Sequence, residues 1–192
     1  MEPVSTPQRV YEVTDEFTVR TAEITDAEKI VSYFKQNRNY LKPWEPKRDE
    51  MFFTIEGWQQ RLFKLSELHQ HGLGYYLIIV DRQSQDVLGT ISFSQISRFP
   101  FHACSVGYSL GEQAQGRGIM TQALRLAVDY MFTIQNMHRI MASYMPRNQR
   151  SEAVLQRLGF QREGLARDYL LINDKWEDHV LTSLVNPDWF PE

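Results

Sequence analysis

Cysteine is almost missing from this sequence, and its scarcity excludes folds held together by disulfides or by cysteine-bound metal. Cys104 is the only cysteine in 192 residues, so no internal disulfide can form. The five histidines show no metal-ligand spacing, and one cysteine cannot complete a structural zinc site. The composition fits a reducing compartment, and we predict a protein that binds no metal.

An excess of basic charge is also missing, which excludes a general nucleic-acid binder. The chain has 21 lysines and arginines against 24 aspartates and glutamates, a net charge of −3. Proteins that bind DNA or RNA through the phosphates depend on a basic surface. We therefore expect no DNA partner, although a mildly acidic protein still attracts a basic substrate.

Long apolar runs are absent as well. The longest runs have only a few residues, whereas a helix that spans a membrane requires about 20 apolar residues. The first residues have neither the basic start nor the apolar core of a secretory signal. The sequence thus predicts a cytoplasmic protein without a membrane partner.

The patterns that are present predict a mixed α/β fold in a single domain. Residues 1–10, with two prolines, predict a loose arm before a domain over residues 11–192. Two further prolines predict irregular chain over residues 40–46. A possible capping box at Thr25 and Glu28 precedes a helix that contains Ile30 and Phe34. Periodicity predicts further helices over residues 54–71, 119–135 and 151–158, and strands over residues 17–23, 75–80, 87–95, 103–110, 139–145, 161–172 and 176–185.

A pair of glycines lies between a predicted strand and a strongly amphipathic helix. Gly116 and Gly118 allow the backbone of residues 113–120 to bend tightly and to approach a ligand. The first turn of the following helix has N–H groups without partners, which favour an anion. The segment is either an anion cradle or an ordinary tight loop, and it matches neither the dinucleotide fingerprint nor a P-loop.

The strand before this loop has one face of small residues. Alternation places Ala103, Ser105, Gly107 and Ser109 on that face, and Cys104 on the face with the larger side chains. A small face admits either a packed helix or the narrow arm of a cofactor. Cys104 is expected to be a buried residue rather than a nucleophile.

Asn148 and Ser151 follow the next predicted strand, at the start of a helix that leads to Leu158-Gly159-Phe160. Alone, the two polar residues are either helix caps or ligand donors. Together with the Gln113-x-x-Gly116-x-Gly118 string, they resemble the GNAT acetyltransferase superfamily over residues 17–185. Longer strings resemble the RimJ-type ribosomal-protein alanine N-acetyltransferases within it. These strings are residues 41–46 (LKPWEP), 101–104 (FHAC), 168–171 (DYLL) and the run 138–151.

The resemblance implies a GNAT-like domain, in which a twisted mixed sheet with flanking helices has two splayed central strands, residues 103–110 and 139–145. The pantetheine arm of acetyl-CoA would lie between these strands, and its pyrophosphate would bind the amides of residues 115–120. Ser151 would lie near the thioester sulfur as an acid for the leaving thiolate. The resemblance assigns to the cofactor Tyr108, Leu110, Gln113, Gln115, Gly116, Arg117, Gly118, Ile119, Met120, Asn148 and Ser151.

Three residues are candidates for the base that acts together with Ser151. Glu45 follows Trp44, and a carboxylate with an aromatic ring suits a cationic N-terminus. His102 precedes the cofactor strand, and Asp168 lies in the late strand beside Tyr169, a further acceptor contact. Each base candidate also has a purely structural interpretation, as a surface carboxylate, a strand-end histidine or a member of an ion pair.

The acceptor is narrowed by the chemistry of amines. An amine must be neutral to attack a thioester. A peptide α-amino group has a pKa of about 7.7–8.0 and a lysine side chain about 10.4, so an N-terminal amine needs a weaker base than a lysine does. The resemblance implies direct attack by the N-terminal alanine of a small-subunit ribosomal protein, which would be the partner. Two alternatives stay open: an acetyltransferase for another peptide or small amine, and a ribosome-assembly or regulatory binding module. The sequence does not define the oligomeric state.

Overall fold

The computed structural model describes residues 7–191, in which eight strands form a single sheet in the order β1-β2-β3-β4-β5-β6-β8-β7. All neighbouring strands are antiparallel except β5 and β6, which are parallel. The predicted mixed α/β class is therefore confirmed. The strands are β1 (Tyr11–Val13), β2 (Phe17–Thr21), β3 (Tyr75–Asp81), β4 (Val87–Ser97), β5 (Ala103–Leu110), β6 (Arg139–Tyr144), β7 (Gln161–Ile172) and β8 (Lys175–Val185).

Helices connect these strands, and short 3-10 helices lie at several of the joints. The α-helices are α1 (Ala27–Gln36), α2 (Arg38–Leu41), α3 (Ile55–Gln70), α4 (Ile119–Thr133) and α5 (Gln149–Arg157). The 3-10 helices are Ile24–Asp26, Lys42–Trp44, Glu50–Phe53 and Glu112–Ala114. Apart from the corrections below, predicted strands and helices begin and end within two residues of the observed ones.

The helices cover both faces of the sheet, and alternation along each strand decides which core a side chain joins. In β3, Leu77 and Ile79 belong to the core beneath α4, whereas Ile78 and Val80 belong to the core beneath α1 and α3. Successive side chains of a strand point to opposite faces, so one apolar run supplies two layers.

The parallel strands β5 and β6 pair over three residues only, and they then separate. The paired residues end at Ser105 and Met141. Beyond that point Val106 stays in register with β4, while Ala142 stays in register with β8. The two strands therefore form a V, which confirms the predicted splay and leaves one edge of β5 open toward β6.

The start of the chain differs from the predicted arm. Residues 1–6 lie outside the described residues. In residues 7–10, the Pro7 carbonyl oxygen lies 3.0 Å from His69 Nε2, and the Val10 N–H donates to Thr21 Oγ1 at 2.9 Å. Val10 is buried, so these four residues are attached to the domain. The sequence pattern also misses β1, whose three residues are all exposed.

The predicted capping box at Thr25 and Glu28 is wrong. The acid that caps this turn is Asp26, whose Oδ2 accepts the Glu23 N–H at 2.8 Å. Arg20 donates to both carboxylate oxygens of Asp26 at 2.8 and 2.6 Å. The box therefore starts two residues earlier and begins a 3-10 turn before α1.

The prediction of irregular chain over residues 40–46 is also wrong in part. The segment contains the end of α2 and the 3-10 helix Lys42–Trp44. Pro43 occupies the first turn of that helix, where the missing N–H has no helical partner to lose. Only the last residues of the segment are extended, beginning at Glu45.

Candidate active site

A cavity of about 550 Å³ opens where β5 and β6 separate. Residues 107–110 of β5 and residues 143–145 at the end of β6 contribute its two strand walls. Residues 147–151 at the start of α5, the segment 40–46 and side chains of β7 and β8 complete it. Gln115 and Met120 also line it, so the cavity is assembled from separate parts of the chain around the gap in the sheet.

The glycine loop lies between β5 and α4 in a conformation that only glycine adopts without strain. Gly116 has φ +76° and Gly118 has φ +72°, and α4 begins directly afterwards at Ile119. A Cβ atom at either glycine would meet nothing within 4 Å, so backbone conformation rather than crowding requires glycine here. A left-handed turn before a helix N-terminus presents successive N–H groups to an anion.

The side chains of this loop divide into two groups. Gln115 and Met120 line the cavity, and Gln115 Nε2 donates to the Leu110 carbonyl oxygen at 3.1 Å. Arg117 forms an ion pair with Glu16 at 2.7 Å instead. The remaining members, Gln113, Gly116, Gly118 and Ile119, do not line the cavity, and Ile119 is buried in the core.

The small face of β5 is open where it reaches the cavity. Gly107 and Ser109 both line the cavity, and a Cβ at Gly107 would meet no atom within 4 Å. The Ser109 hydroxyl lies 2.8 Å from Tyr33 Oη and 2.9 Å from Thr90 Oγ1, so its position is fixed. Of the two interpretations of this face, the structure favours room for a narrow ligand over a packed helix.

Ser151 faces the cavity from the first turn of α5. Asn148 is the N-cap of this helix, and its Oδ1 accepts the Ser151 N–H at 3.2 Å. The Ser151 Oγ lies 2.7 Å from Tyr108 Oη, across the gap between α5 and β5. Burial raises the pKa of Tyr108 well above its usual range, although the bond to Ser151 opposes the shift. Tyr108 therefore stays protonated at neutral pH.

Glu45 is a mostly buried carboxylate that lines the same cavity. Its side chain is 21% exposed. Burial raises the pKa of Glu45, and the Arg48 guanidinium opposes part of that shift. Arg48 Nε lies 3.9 Å from Glu45 Oε2 and has no hydrogen-bond partner within residues 7–191. A carboxylate with a raised pKa, lining a cavity, suits a general base.

The segment that carries Glu45 is attached to the end of the β7–β8 hairpin. The Asn173 N–H donates to the Glu45 carbonyl oxygen at 3.1 Å, and Lys47 pairs with Asp174 at 2.6 Å. Arg147 lies 5.4 Å above the Trp44 ring and pairs with Glu177 at 3.0 Å. These contacts hold Trp44 and Glu45 over the cavity.

Comparison with known proteins assigns this arrangement to a family. The model of the acetyltransferase (GNAT) domain matches residues 16–161, which is most of the chain. The chain belongs to the GNAT acetyltransferases.

This GNAT chain is similar to proteins that act on ribosomal proteins. It is 48% identical over 178 residues to the [Ribosomal protein uS5]-alanine N-acetyltransferase of Escherichia coli K12, covering 93% of this chain and 92% of that protein. A crystal structure of the ribosomal-protein-S5-alanine acetyltransferase from Vibrio fischeri has a TM-score of 0.93 and 52% identity, covering 95% of this chain and 100% of that one. The Mycobacterium smegmatis RimJ structure, in complex with CoA-disulfide, has a TM-score of 0.84 and 27% identity, covering 92% and 84%.

Within the GNAT fold, the structure separates His102 from the cavity. His102 lies at the paired end of the V, where its carbonyl oxygen accepts the N–H groups of His138 and Arg139 at 2.9 and 3.1 Å. Its ring lies 5.0 Å from the Trp189 ring. The cavity is lined instead by the other end of β5, so a catalytic role predicted for His102 has no geometric support.

Asp168 and Tyr169 also lie outside the cavity lining. Asp168 is exposed in an irregular part of β7, with φ +46°, and its N–H donates to Asp178 Oδ1 at 2.9 Å. Tyr169 is 45% exposed, and its ring lies 5.7 Å from the ring of His179, which does line the cavity. The geometry does not support Asp168 as the base, and Tyr169 reaches the lining only through its contact with His179.

Several cavity residues were not identified from the sequence. Tyr40 Oη is hydrogen-bonded by Arg150 Nη1, and both side chains line the cavity. Tyr144 and His179 line it too, and Tyr144 Oη donates to Glu152 Oε1 at 3.2 Å. Alternation along β6 and β8 would have predicted the face of the sheet on which Tyr144 and His179 lie. No sequence signal predicts that Tyr40 contacts Arg150.

Two further kinds of feature, membrane-spanning helices and metal sites, are not present among residues 7–191. No helix within residues 7–191 is long and apolar enough to cross a membrane. In the same range, no group of three or more histidine, cysteine, aspartate or glutamate side chains is arranged to hold a metal ion.

Proposed function

We propose that this GNAT acetyltransferase acetylates the N-terminal alanine of a small-subunit ribosomal protein, with acetyl-CoA as the acyl donor. The similarity to uS5-alanine and S5-alanine acetyltransferases at 48% and 52% identity supports the acceptor. The observation that carries the chemistry is the open V between β5 and β6, with the left-handed glycine loop at its mouth. The reaction is proposed for the cytoplasm, where ribosomal proteins are made.

The residues present fit coenzyme A. The open edge of β5 has backbone groups at Tyr108 and Leu110 to pair with pantetheine amides, and Gly107 leaves room beside them. The amides of residues 115–120 lie at the N-terminus of α4, where a pyrophosphate is favoured. Bound acetyl-CoA would supply the acetyl group as an activated thioester.

The acceptor amine would lie between Glu45 and Ser151. Glu45 takes the proton that the amine must lose, and its raised pKa brings it closer to that of the amine. Ser151 donates its hydroxyl hydrogen bond to the leaving sulfur. The Trp44 ring and the Glu45 carboxylate together suit a cationic N-terminus before it loses its proton. A peptide α-amine, with a pKa of about 7.7–8.0, requires only a weak base of this kind.

A matched pair of peptides tests the proposal. Both peptides copy the N-terminal sequence of a uS5 protein and contain the same internal lysine. The first begins with a free alanine, and the N-terminus of the second is blocked. Intact-mass measurement after incubation with acetyl-CoA should show one added acetyl group on the first peptide only. Equal rates on both peptides would exclude an N-terminal acceptor, and faster transfer to small amines would favour the alternative acetyltransferase.

The active-site assignment has its own control. Ser151→Ala and Glu45→Gln should each lower kcat on the alanine peptide, whereas Asp168→Asn and His102→Gln should leave it close to the original value. A large loss of kcat in Asp168→Asn, with Glu45→Gln unaffected, would move the base to β7.

A further inference from the structure

Tyr108 and Ser151 form a direct contact between the two sides of the cavity. Tyr108 comes from β5, Ser151 from the first turn of α5, and 43 residues separate them in the chain. The Tyr108 Oη lies 2.7 Å from Ser151 Oγ but 3.4 Å from the Ser151 carbonyl oxygen. Since both side chains line the cavity, this contact is made at the site itself rather than in the core.

The direction of this hydrogen bond follows from the two hydroxyl groups. A phenol is a stronger acid than an aliphatic alcohol, and it is therefore the better hydrogen-bond donor. Because burial keeps the pKa of Tyr108 above its usual range, its proton is present throughout the neutral range. The shorter distance, to Oγ, identifies the acceptor. On these grounds we assign Tyr108 as the donor and Ser151 Oγ as the acceptor.

The Ser151 hydroxyl keeps one donor without an assigned partner, its own proton. The Ser151 N–H is occupied by Asn148 Oδ1, which fixes the backbone from which the side chain extends. One lone pair of Oγ is then occupied by the Tyr108 proton. A hydroxyl has one proton and two lone pairs, so the Ser151 proton remains free to point into the cavity.

Resting on the proposed function, we infer that Tyr108 is a positioning residue, which holds Ser151 Oγ so that the Ser151 proton is directed at the departing sulfur. In that step the acceptor nitrogen forms the C–N bond, and the electron pair of the broken C–S bond stays on sulfur. The amine proton passes to Glu45 or to solvent. Ser151 stabilises the thiolate by a hydrogen bond and keeps its own proton, so Tyr108 does not have to ionise.

The inference predicts a measurable property of bound coenzyme A apart from turnover. A hydrogen bond to the thiolate favours the charged form and lowers the thiol pKa below that of free coenzyme A. The pKa of bound CoA is followed through the ultraviolet absorbance of the thiolate in a pH titration. We expect it to be lowered in the original protein, and Tyr108→Phe and Ser151→Ala to raise it again by about one unit.

Kinetics on the alanine peptide give the second readout. Tyr108→Phe should lower kcat about tenfold while leaving the KM for acetyl-CoA within a factor of about two, because its ring and backbone are kept. The double variant Tyr108→Phe with Ser151→Ala should be no slower than Ser151→Ala alone. Affinity for desulfo-CoA, which lacks the sulfur, should be the same in all variants.

Tyr75→Phe is the matched control. It removes a hydroxyl that is hydrogen-bonded to Gln135 Oε1 at 2.7 Å in the core, outside the cavity lining. It should lower stability without changing the thiol pKa. A thiol pKa in Tyr108→Phe equal to that of the original protein, with Ser151→Ala still raising it, would overturn the inference. If the original protein acetylates no peptide yet lowers the thiol pKa, the proposed acceptor fails and the positioning role stands.

Discussion

The charge of Glu45 is disfavoured by its own surroundings. Burial raises the pKa of this carboxyl, and Arg48 at 3.9 Å offsets only part of the effect. A folded-state pKa above the unfolded value means that the folded protein binds the extra proton more readily. The stability that protonation of Glu45 contributes is therefore fully present below the unfolded-state pKa of this carboxyl. It is lost as pH rises through the raised folded-state pKa. At neutral pH the ionised Glu45 destabilises the fold, as is common at active sites.

Glu45→Gln should consequently make the protein more stable and less active at pH 8. The amide mimics the protonated carboxyl, so the gain in the free energy of unfolding should shrink as pH is lowered through the raised pKa of Glu45. Urea unfolding at pH 8 and at pH 5, beside peptide kinetics, measures both effects. Glu50→Gln, a change at an exposed residue, is the control for kinetics and should leave kcat unchanged. A variant that is less stable at pH 8 would contradict this account of Glu45.

Residue roles were predictable where a local motif carried them. Asn148 could be assigned as a cap because its partner Ser151 is three residues away. The Tyr108–Ser151 bond could not be predicted, since it joins two elements whose approach depends on the splay of the sheet. His102 shows a limit of sequence position, because nearness to β5 in sequence does not say which end of that strand borders the cavity.

Among the elements, the loop between β5 and α4 depends most strongly on its residue types. Gly118 is the N-cap of α4 and lies in the left-handed region, and a side chain there has space but the wrong backbone conformation. In the protein without ligand, the cost of a substitution at Gly118 therefore comes from backbone strain alone, because an added side chain would overlap no neighbouring atom.

Gly118→Ala should therefore reduce the free energy of unfolding by about 1–2 kcal/mol, the cost of placing a non-glycine residue in the left-handed region. It should also weaken acetyl-CoA binding, because relief of the strain moves the amides of the cradle. Urea denaturation and calorimetric titration check the two effects. Gly164→Ala, at a glycine with equal space and no positive φ, should change stability by less than about 0.5 kcal/mol. Unchanged acetyl-CoA affinity in Gly118→Ala would remove the loop from the binding site.

Elements with strong periodicity were predictable, and those set by single contacts were not. The bounds of β5 agree with the pattern because small and larger residues alternate along this strand. The bounds of β7 agree as well, although two irregularities interrupt its pairing with β8. α2 was missed because Pro43 suggested a break, whereas a proline in a first turn only marks where one helix replaces another. β1 has only three residues, all exposed, which is too short a run for alternation to predict a strand.

At the scale of the whole molecule, the cavity joins distant parts of one sheet. Its lining extends in sequence from Tyr40 to His179, and strands of both halves of the sheet contribute to it. A ligand that contacts both arms of the V stabilises the folded state as a unit, since it binds the assembled site and not the unfolded chain.

Acetyl-CoA should accordingly raise the melting temperature. At a concentration about 100 times its Kd, the stabilisation is about 2.7 kcal/mol, or about 5–10 °C for a chain of this length. Differential scanning calorimetry over a series of acetyl-CoA concentrations tests this. Adenosine alone, which lacks the pyrophosphate and the pantetheine arm, should shift the temperature far less. If adenosine raised the melting temperature by the same amount, the stabilisation would come from contacts with the adenosine group and not from binding between β5 and β6.

The burial of Cys104 has a practical consequence at the bench. The thiol lies in the core with no exposed surface, and burial raises its pKa to about 12. With no other cysteine in the chain, the folded protein presents no thiolate to a colorimetric disulfide reagent. Every equivalent of colour that develops during turnover then counts one molecule of free coenzyme A, and a delayed second rise in signal would report unfolding of the protein itself.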